Sequence, residues 1–498
     1  MNAFTAADWH ARADALQFRN RAFIDGRFVD AVSGETFEAT SPVDGRVLAE
    51  VAACDREDVD RAVASARRAF EDGRWRSRTP AERKRVLLAF AELIRTNGEE
   101  LALTETLDMG KPISDALSID VRATANCFAW YAEAIDKIYD EIAPTGEADI
   151  AMITREPLGV VAAVVPWNFP MIMAAWKLAP ALASGNSVVL KPAEQSSLTA
   201  LRLAELAVEA GIPEGVFNVV TGFGPTAGKA LGLHMDVDGV FFTGSTEVGK
   251  LFMQYAGQSN LKKVGLECGG KSPNVILGSY SDIDGAAETA AGAIFFNQGE
   301  MCTAGSRLIV ERSVHERVVE RIAAVAATRQ PGDPLNPSTQ MGALVDETHT
   351  KRVLGFVDAA REDGATIAAG GERARVESGG CYVQPTVFDN VANDMRVARE
   401  EIFGPMLSVI PVDDAEEAAK VANDTCYGLA AAVWTDDINT AHKFARTLRA
   451  GMVYVNCYDA DDISVPFGGY KQSGIGRDKS LHAFDKYTEL KTTWIKLR

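Results

Sequence analysis

The chain has 498 residues, 47% hydrophobic and 24% charged, which suits two or three globular domains and argues against disorder, collagen and low complexity. Its 51 Lys and Arg against 69 Asp and Glu leave a net charge of −18, a field that repels phosphate backbones and anionic lipid, so neither nucleic acid nor a membrane is expected as a partner. The seven cysteines, Cys54, Cys127, Cys268, Cys302, Cys381, Cys426 and Cys457, are odd in number and never spaced C-x-x-C; this argues against a disulfide framework or a zinc site and for the reducing cytoplasm.

Along the chain, residues 1–20 mix Asp8 and Asp14 with Arg12 and Arg19, so no secretory signal is expected. The longest apolar tract, 158–176, approaches the length of a membrane span, but Pro166, Asn168 and Pro170 break it into strand, turn and helix. From about residue 158 to 267, Val-rich runs alternate with helical patterns, the signature of βαβ units on a parallel sheet. Strands are predicted over 160–165, 187–190, 216–220 and 240–243, with a helix over 201–210 that stops at Gly211-Ile212-Pro213. Each strand runs into a turn that opens a helix, and ligands bind in the crevice outside such strand ends. A second αβ region spans about 266–465, with a helix over 285–296 and a strand over 307–311. The alternating segments 149–156 and 487–496 are expected to form a small projecting sheet used for oligomerisation.

Several residues carry candidate chemistry. Gly222-Phe223-Gly224 and the run Gly244-Ser245-Thr246-Glu247-Val248-Gly249 sit at strand ends, where backbone N–H groups can meet a pyrophosphate; the plainer reading is turn glycine. Lys191 and Glu194 follow the 187–190 strand, and a carboxylate there can accept ribose hydroxyls and disfavour a 2′-phosphate, which leans toward NAD over NADP; the plainer reading is a solvated turn. Cys302, between Gly299 and Gly305 at a helix–strand junction, is a candidate nucleophile whose thiol pKa local dipoles would lower from about 8.5 if the junction exposes it; the plainer reading of any one free cysteine is a small buried hydrophobe. Glu267, ending an apolar run, reads as a general base or as a surface residue.

The octet Gly265-Leu266-Glu267-Cys268-Gly269-Gly270-Lys271-Ser272 matches a phosphate-binding loop, but Pro273 follows at once and 275–277 reads as strand where that loop needs a helix. The six histidines are isolated, so no metal is expected, and no G-x-S-x-G supplies a serine nucleophile.

Taken together, Pro166-Trp167-Asn168-Phe169-Pro170, Lys191-Pro192-Ala193-Glu194, Phe242-Thr243-Gly244-Ser245-Thr246, Glu267 with Gly269-Gly270-Lys271, the Cys302 loop, Glu401-Ile402-Phe403-Gly404-Pro405 and Pro466-Phe467-Gly468-Gly469 resemble the aldehyde dehydrogenase superfamily, from about Ala22 to Leu497. The resemblance implies an α/β fold: a Rossmann-type NAD-binding domain (1–148 and 157–266), an α/β catalytic domain (267–465), an oligomerisation sheet (149–156 and 487–496) and a segment returning to the first domain (466–486). It implies Cys302 as nucleophile, Asn168 with the Cys302 N–H as oxyanion hole, and Glu267 as the base that activates water. Trp167, Lys191, Glu194, Gly224, Phe242, Gly244, Ser245, Thr246, Gly249, Glu401 and Phe403 would hold the NAD. A homodimer or homotetramer is implied.

Two positions depart from the family pattern: Glu300 stands where Gln is usual, and Cys268 where Leu is usual, so a carboxylate and a second thiol lie close in sequence to the catalytic groups. For the substrate tunnel, the resemblance points to Phe169, Met173, Trp176, Phe296 and the loop 456–465, which carries acid where members acting on apolar aldehydes often carry an aromatic. Asp461 or Asp462, with Trp176 and Tyr458 as walls, is expected to bind the cationic tail of an amino- or guanidino-aldehyde such as those of polyamine and arginine breakdown. The ending 469–483 looks most like bacterial γ-glutamyl-γ-aminobutyraldehyde and guanidinobutyraldehyde dehydrogenases. The alternatives are a general aliphatic or semialdehyde dehydrogenase, a CoA-acylating enzyme, which does not need Glu267, and a non-catalytic NAD-binding protein.

Overall fold

A computed structural model describes residues 4–498. Five strands alternate with helices: β1 (Val160–Val164), α1 (Pro170–Ser184), β2 (Ser187–Lys191), α2 (Leu198–Glu209), β3 (Phe217–Val219), β4 (Gly239–Thr243), α3 (Thr246–Gln258) and β5 (Lys263–Glu267). The strands lie side by side in the order β3-β2-β1-β4-β5, all parallel. The continuous apolar runs have a simple cause. Val161 and Ala163 of β1 enter one core with Met171 and Leu178, while Val160, Ala162 and Val164 enter another with Val240 and Leu266, so both faces are buried. The N-terminal hairpin Ala22–Ile24 and Arg27–Val29 extends one edge, and Gly474–Ile475 pairs with β5 at the other.

α2 starts three residues earlier than its periodicity predicts, because the buried Asp108 accepts the Leu198 N–H at 3.0 Å and acts as a cap from a distant helix.

A second, seven-stranded sheet holds β6 (Pro273–Ile276) and β7 (Arg307–Glu311) near its centre, separated in the chain by α4 (Ile283–Phe295), which Asp282 caps. Pro273 opens a strand here, so the Gly265–Ser272 octet leads into no helix and is not a phosphate-binding loop. A separate three-stranded sheet joins Asp149–Pro157 to Thr488–Lys496 and to Glu141–Ala143, all antiparallel. Leu490, Trp494 and Ile495 stand exposed on it. No helix among the described residues is long and apolar enough to cross a membrane.

Candidate active site

In the parallel sheet, the chain proceeds from β1 outward to β2 and β3, then returns to β4 and β5 on the other side. The switch point therefore lies between β1 and β4, where neighbouring connections leave in opposite directions and open a crevice. A cleft of about 620 Å³ occupies it. Pro166, Trp167 and Asn168 beyond β1, and Thr243, Gly244 and Ser245 ending β4, line one side. Cys302, Thr303, Glu401 and Phe403 line the other.

The Cys302 loop is held by unusual backbone. After α4, Asn297 and Gln298 take left-handed φ values of 46° and 58°, followed by Gly299 at 72°. A side chain at Gly299 would run into the Gly404 carbonyl, so only glycine lets the loop approach that strand entrance. The strained residues are tied down by their own amides: Asn297 Nδ2 donates to the Asn168 carbonyl at 3.1 Å, and Gln298 Oε1 accepts the Gly342 N–H at 2.9 Å. Asn168 Nδ2 donates to the Glu300 carbonyl at 2.8 Å, which fixes its amide beside the loop and leaves the second N–H of that amide for a ligand.

The expected low thiol pKa is corrected. Cys302 is only partly exposed; burial, then the carboxylates of Glu401, Glu267 and Asp459, push its thiol well above the ordinary value. Glu300 is not among these influences, because its carboxyl turns away to accept the Val345 N–H at 3.0 Å. Cys268 lines the same cleft, but it is buried, and burial followed by Glu267 and Glu401 pushes its thiol up to about 12.

Glu267 ends β5 and is 4% exposed, so the surface reading fails. Neither carboxylate oxygen has a hydrogen-bond partner, and burial, then Asp478, pushes its pKa well up. A side chain at Gly468 would come within 2.7 Å of Glu267 Oε1, so glycine there keeps the carboxylate room to turn. Glu401 accepts the Gly270 N–H at 2.9 Å through Oε1, and burial lifts it to about 7.

The expected site residues divide. Cys302, Glu267, Asn168, Trp167, Gly244, Ser245, Glu401, Phe403, Phe169, Met173, Trp176, Phe296 and Asp461 all line the cleft. Lys191, Glu194, Gly224, Phe242, Thr246 and Gly249 lie outside its lining. Lys191 Nζ donates to Glu194 at 2.9 Å, leaving the carboxylate about one-third exposed beside the β2 end. Phe242 turns its ring into the core against Phe252, and the Thr246 hydroxyl donates to the Gln472 carbonyl, so neither side chain is free for a ligand.

Two tunnel expectations are corrected. Tyr458 packs on Gly305 and donates to the Thr303 carbonyl at 2.7 Å; it braces the nucleophile loop and is no cleft wall. Asp462 is exposed and accepts from Ser464, away from the cleft.

Sequence reading also missed residues. His349 lines the cleft in edge contact with Trp167, and its Nε2 lies 2.6 Å from the Phe403 carbonyl, holding a residue whose φ is 60°. Burial lowers the His349 pKa to about 4, so the ring is neutral at pH 7 and Nε2–H donates. Ile119 reaches the cleft from a π-helical turn, Ala116–Val121. A lone histidine or isoleucine without a local pattern gives no signal for either.

The residues present fit a dinucleotide. Ser245 caps α3, so N–H groups at that helix start point at the cleft from the end of β4, and Glu401 Oε2 accepts from no protein donor among the described residues. A doubly wound sheet whose switch-point cleft pairs such an end with a thiol defines a dinucleotide-dependent dehydrogenase. The chain belongs to the aldehyde dehydrogenase family, whose model matches residues 28–493. It is 54% identical over 489 residues to aminoacetaldehyde dehydrogenase of Pseudomonas aeruginosa, covering 98% of each chain. It is 49% identical over 497 residues to the NADP/NAD-dependent aldehyde dehydrogenase PuuC of Escherichia coli, covering 100% of each. Its structure superposes with a TM-score of 0.98 on the P. syringae indole-3-acetaldehyde dehydrogenase AldA solved with NAD+ and IAA, at 59% identity, covering 99% of this chain and 100% of that one.

Proposed function

We propose that this NAD-dependent aldehyde dehydrogenase converts amino- or guanidino-aldehydes to their acids through a Cys302 thioester. The observation that carries the reading is the convergence of the Cys302 thiol, the Asn168 amide and the Glu267 carboxylate in one cleft with Ser245, Glu401 and Phe403. The names of the aminoacetaldehyde and PuuC relatives support the substrate class and NAD.

The Cys302 thiolate attacks the aldehyde carbon, and the new C–S bond turns the carbonyl oxygen into an anion. The free N–H of Asn168 and the Cys302 N–H stabilise that charge where it develops. Bound NAD+ supplies the hydride acceptor, so collapse of this adduct is an oxidation and leaves a thioester. Glu267 then takes a proton from water as the water attacks the thioester carbon; the C–S bond breaks, the acid leaves, and the thiol is restored. Trp167, Ser245, Glu401 and Phe403 would hold the dinucleotide in the cleft, with Lys191 and Glu194 toward the ribose.

Replacing Asn168 by Ala is expected to lower kcat by about 10²- to 10³-fold with dinucleotide affinity unchanged, measured by steady-state kinetics and fluorescence titration. Glu194→Gln is expected to raise the NADP+/NAD+ ratio of kcat/KM by about tenfold, because a carboxylate repels a 2′-phosphate. An unmoved ratio would take Glu194 out of the ribose site.

The division into domains at 1–148 with 157–266, 267–465, 149–156 with 487–496, and 466–486 belongs to the same reading. The exposed Leu490, Trp494 and Ile495 support assembly through the three-stranded sheet into a homodimer or homotetramer. A cytoplasmic site fits the acidic chain and its free thiols. NADH formation with 4-aminobutanal, 4-guanidinobutanal, a γ-glutamylated aminoaldehyde, propanal and succinic semialdehyde, with and without CoA, tests the function. Higher kcat/KM on the cationic aldehydes, without acyl-CoA formation, is the expected result. A preference for propanal would overturn the substrate class and leave the chemistry standing.

A further inference from the structure

We infer that Asp459, and neither Asp461 nor Asp462, selects a cationic substrate tail in the tunnel; this rests on the aminoaldehyde reading above. The tunnel half of the cleft is apolar, with Phe169, Met173, Trp176, Phe296 and Phe467 as walls and two carboxylates, Asp459 and Asp461, on its lining.

Asp461 is already neutralised. It forms an ion pair with Lys479, whose side chain is only 1% exposed. The same ammonium stands 5.5 Å from the Trp176 ring centre and 6.0 Å from that of Phe467. Trp176, which sequence reasoning offers to a substrate cation, therefore already faces a resident cation, as does Phe467, and a second positive charge there would be repelled.

Asp459 is placed differently. Its backbone is held at φ 57°, and its Oδ1 accepts the Thr303 hydroxyl at 3.1 Å. It forms no ion pair among the described residues; burial raises its pKa, with Asp461 adding to the rise and Lys479 opposing it, and a cation brought beside it would favour its negative charge. Largely withdrawn from water, that charge is poorly screened, so an ammonium brought to it gains more than at the surface. Thr303 directly follows Cys302, so the carboxylate stands at the reacting end of the tunnel. A primary ammonium on a short tail, a few bonds from the aldehyde carbon, is the cation it suits; a long guanidinium tail reaches past it.

The test compares kcat/KM for 3-aminopropanal with that for butanal, a neutral aldehyde of equal chain length, at saturating NAD+. Wild-type protein is expected to favour the amine. Asp459→Asn is expected to lower that preference about tenfold or more, through 3-aminopropanal, while Asp459→Glu retains most of it. Any general damage to the Cys302 loop from losing the Thr303 bond lowers both substrates alike and cancels in the ratio. Asp459→Ser repeats the comparison if the Asn chain does not fold. An Asp459→Asn ratio equal to wild type overturns the assignment and leaves the aminoaldehyde reading intact; a wild-type ratio near one overturns both.

Discussion

Cys302→Ala is expected to lower aldehyde-dependent NADH formation by about 10⁴-fold or more while NAD+ still binds. The magnitude follows from the role: with the thiol gone no C–S bond forms, and the aldehyde carbon is never made tetrahedral for hydride to leave. Binding is spared because the dinucleotide would lie against Trp167, Ser245, Glu401 and Phe403, all of which the substitution leaves in place. Absorbance assays measure the loss, and quenching of the protein's tryptophan fluorescence measures the binding. Residual turnover within tenfold of wild type would move the nucleophile elsewhere, with Cys268 the next thiol in the cleft.

The same thiol sets a pH dependence. Burial raises its pKa, so at neutral pH the reactive thiolate is the minor form, and its fraction grows about tenfold per pH unit below that pKa. kcat/KM is expected to climb from about pH 6 to about pH 9, and a flat profile would show that ligand binding ionises the thiol first.

Glu267→Gln is expected to uncouple the two halves of the reaction. Thioester formation needs no base at this position, so mixing enzyme with aldehyde and NAD+ gives a burst of NADH of up to one per active site. Steady turnover then falls by about 10²- to 10⁴-fold, the range lost when a positioned base is removed. The side chain suits this task because its oxygens are unpartnered and its raised pKa makes it a better proton acceptor than an exposed carboxylate. Stopped-flow absorbance separates the phases; a burst lost along with the turnover would place Glu267 before the thioester and not after it.

Much of this was legible in the chain. The buried strands announced themselves, because a strand covered on both faces must be apolar throughout, and 160–165 and 240–243 are. The pairing of Asp149–Pro157 with Thr488–Lys496 was legible as two alternating segments without a local partner. The candidate trio of Asn168, Glu267 and Cys302 was legible through motif resemblance, and the three side chains line one cleft. Boundaries set by distant contacts were not: Asp108 caps α2 from another helix, which no window around Leu198 contains.

The sequence alone thus determined the fold class and the order of elements through periodicity and local backbone preference, and the residues expected to carry the chemistry through motif resemblance. Only the tertiary structure decided their electrical state. The pKa of the Cys302 thiol rises because the fold buries it and then brings three carboxylates from other parts of the chain, Glu401, Glu267 and Asp459, to act on it. Asp461 is cancelled by Lys479 and Asp459 is not, although both lie on one acidic loop. Charge acts through space and desolvation, so its consequences follow from which segments meet, and that is settled only when the chain is folded.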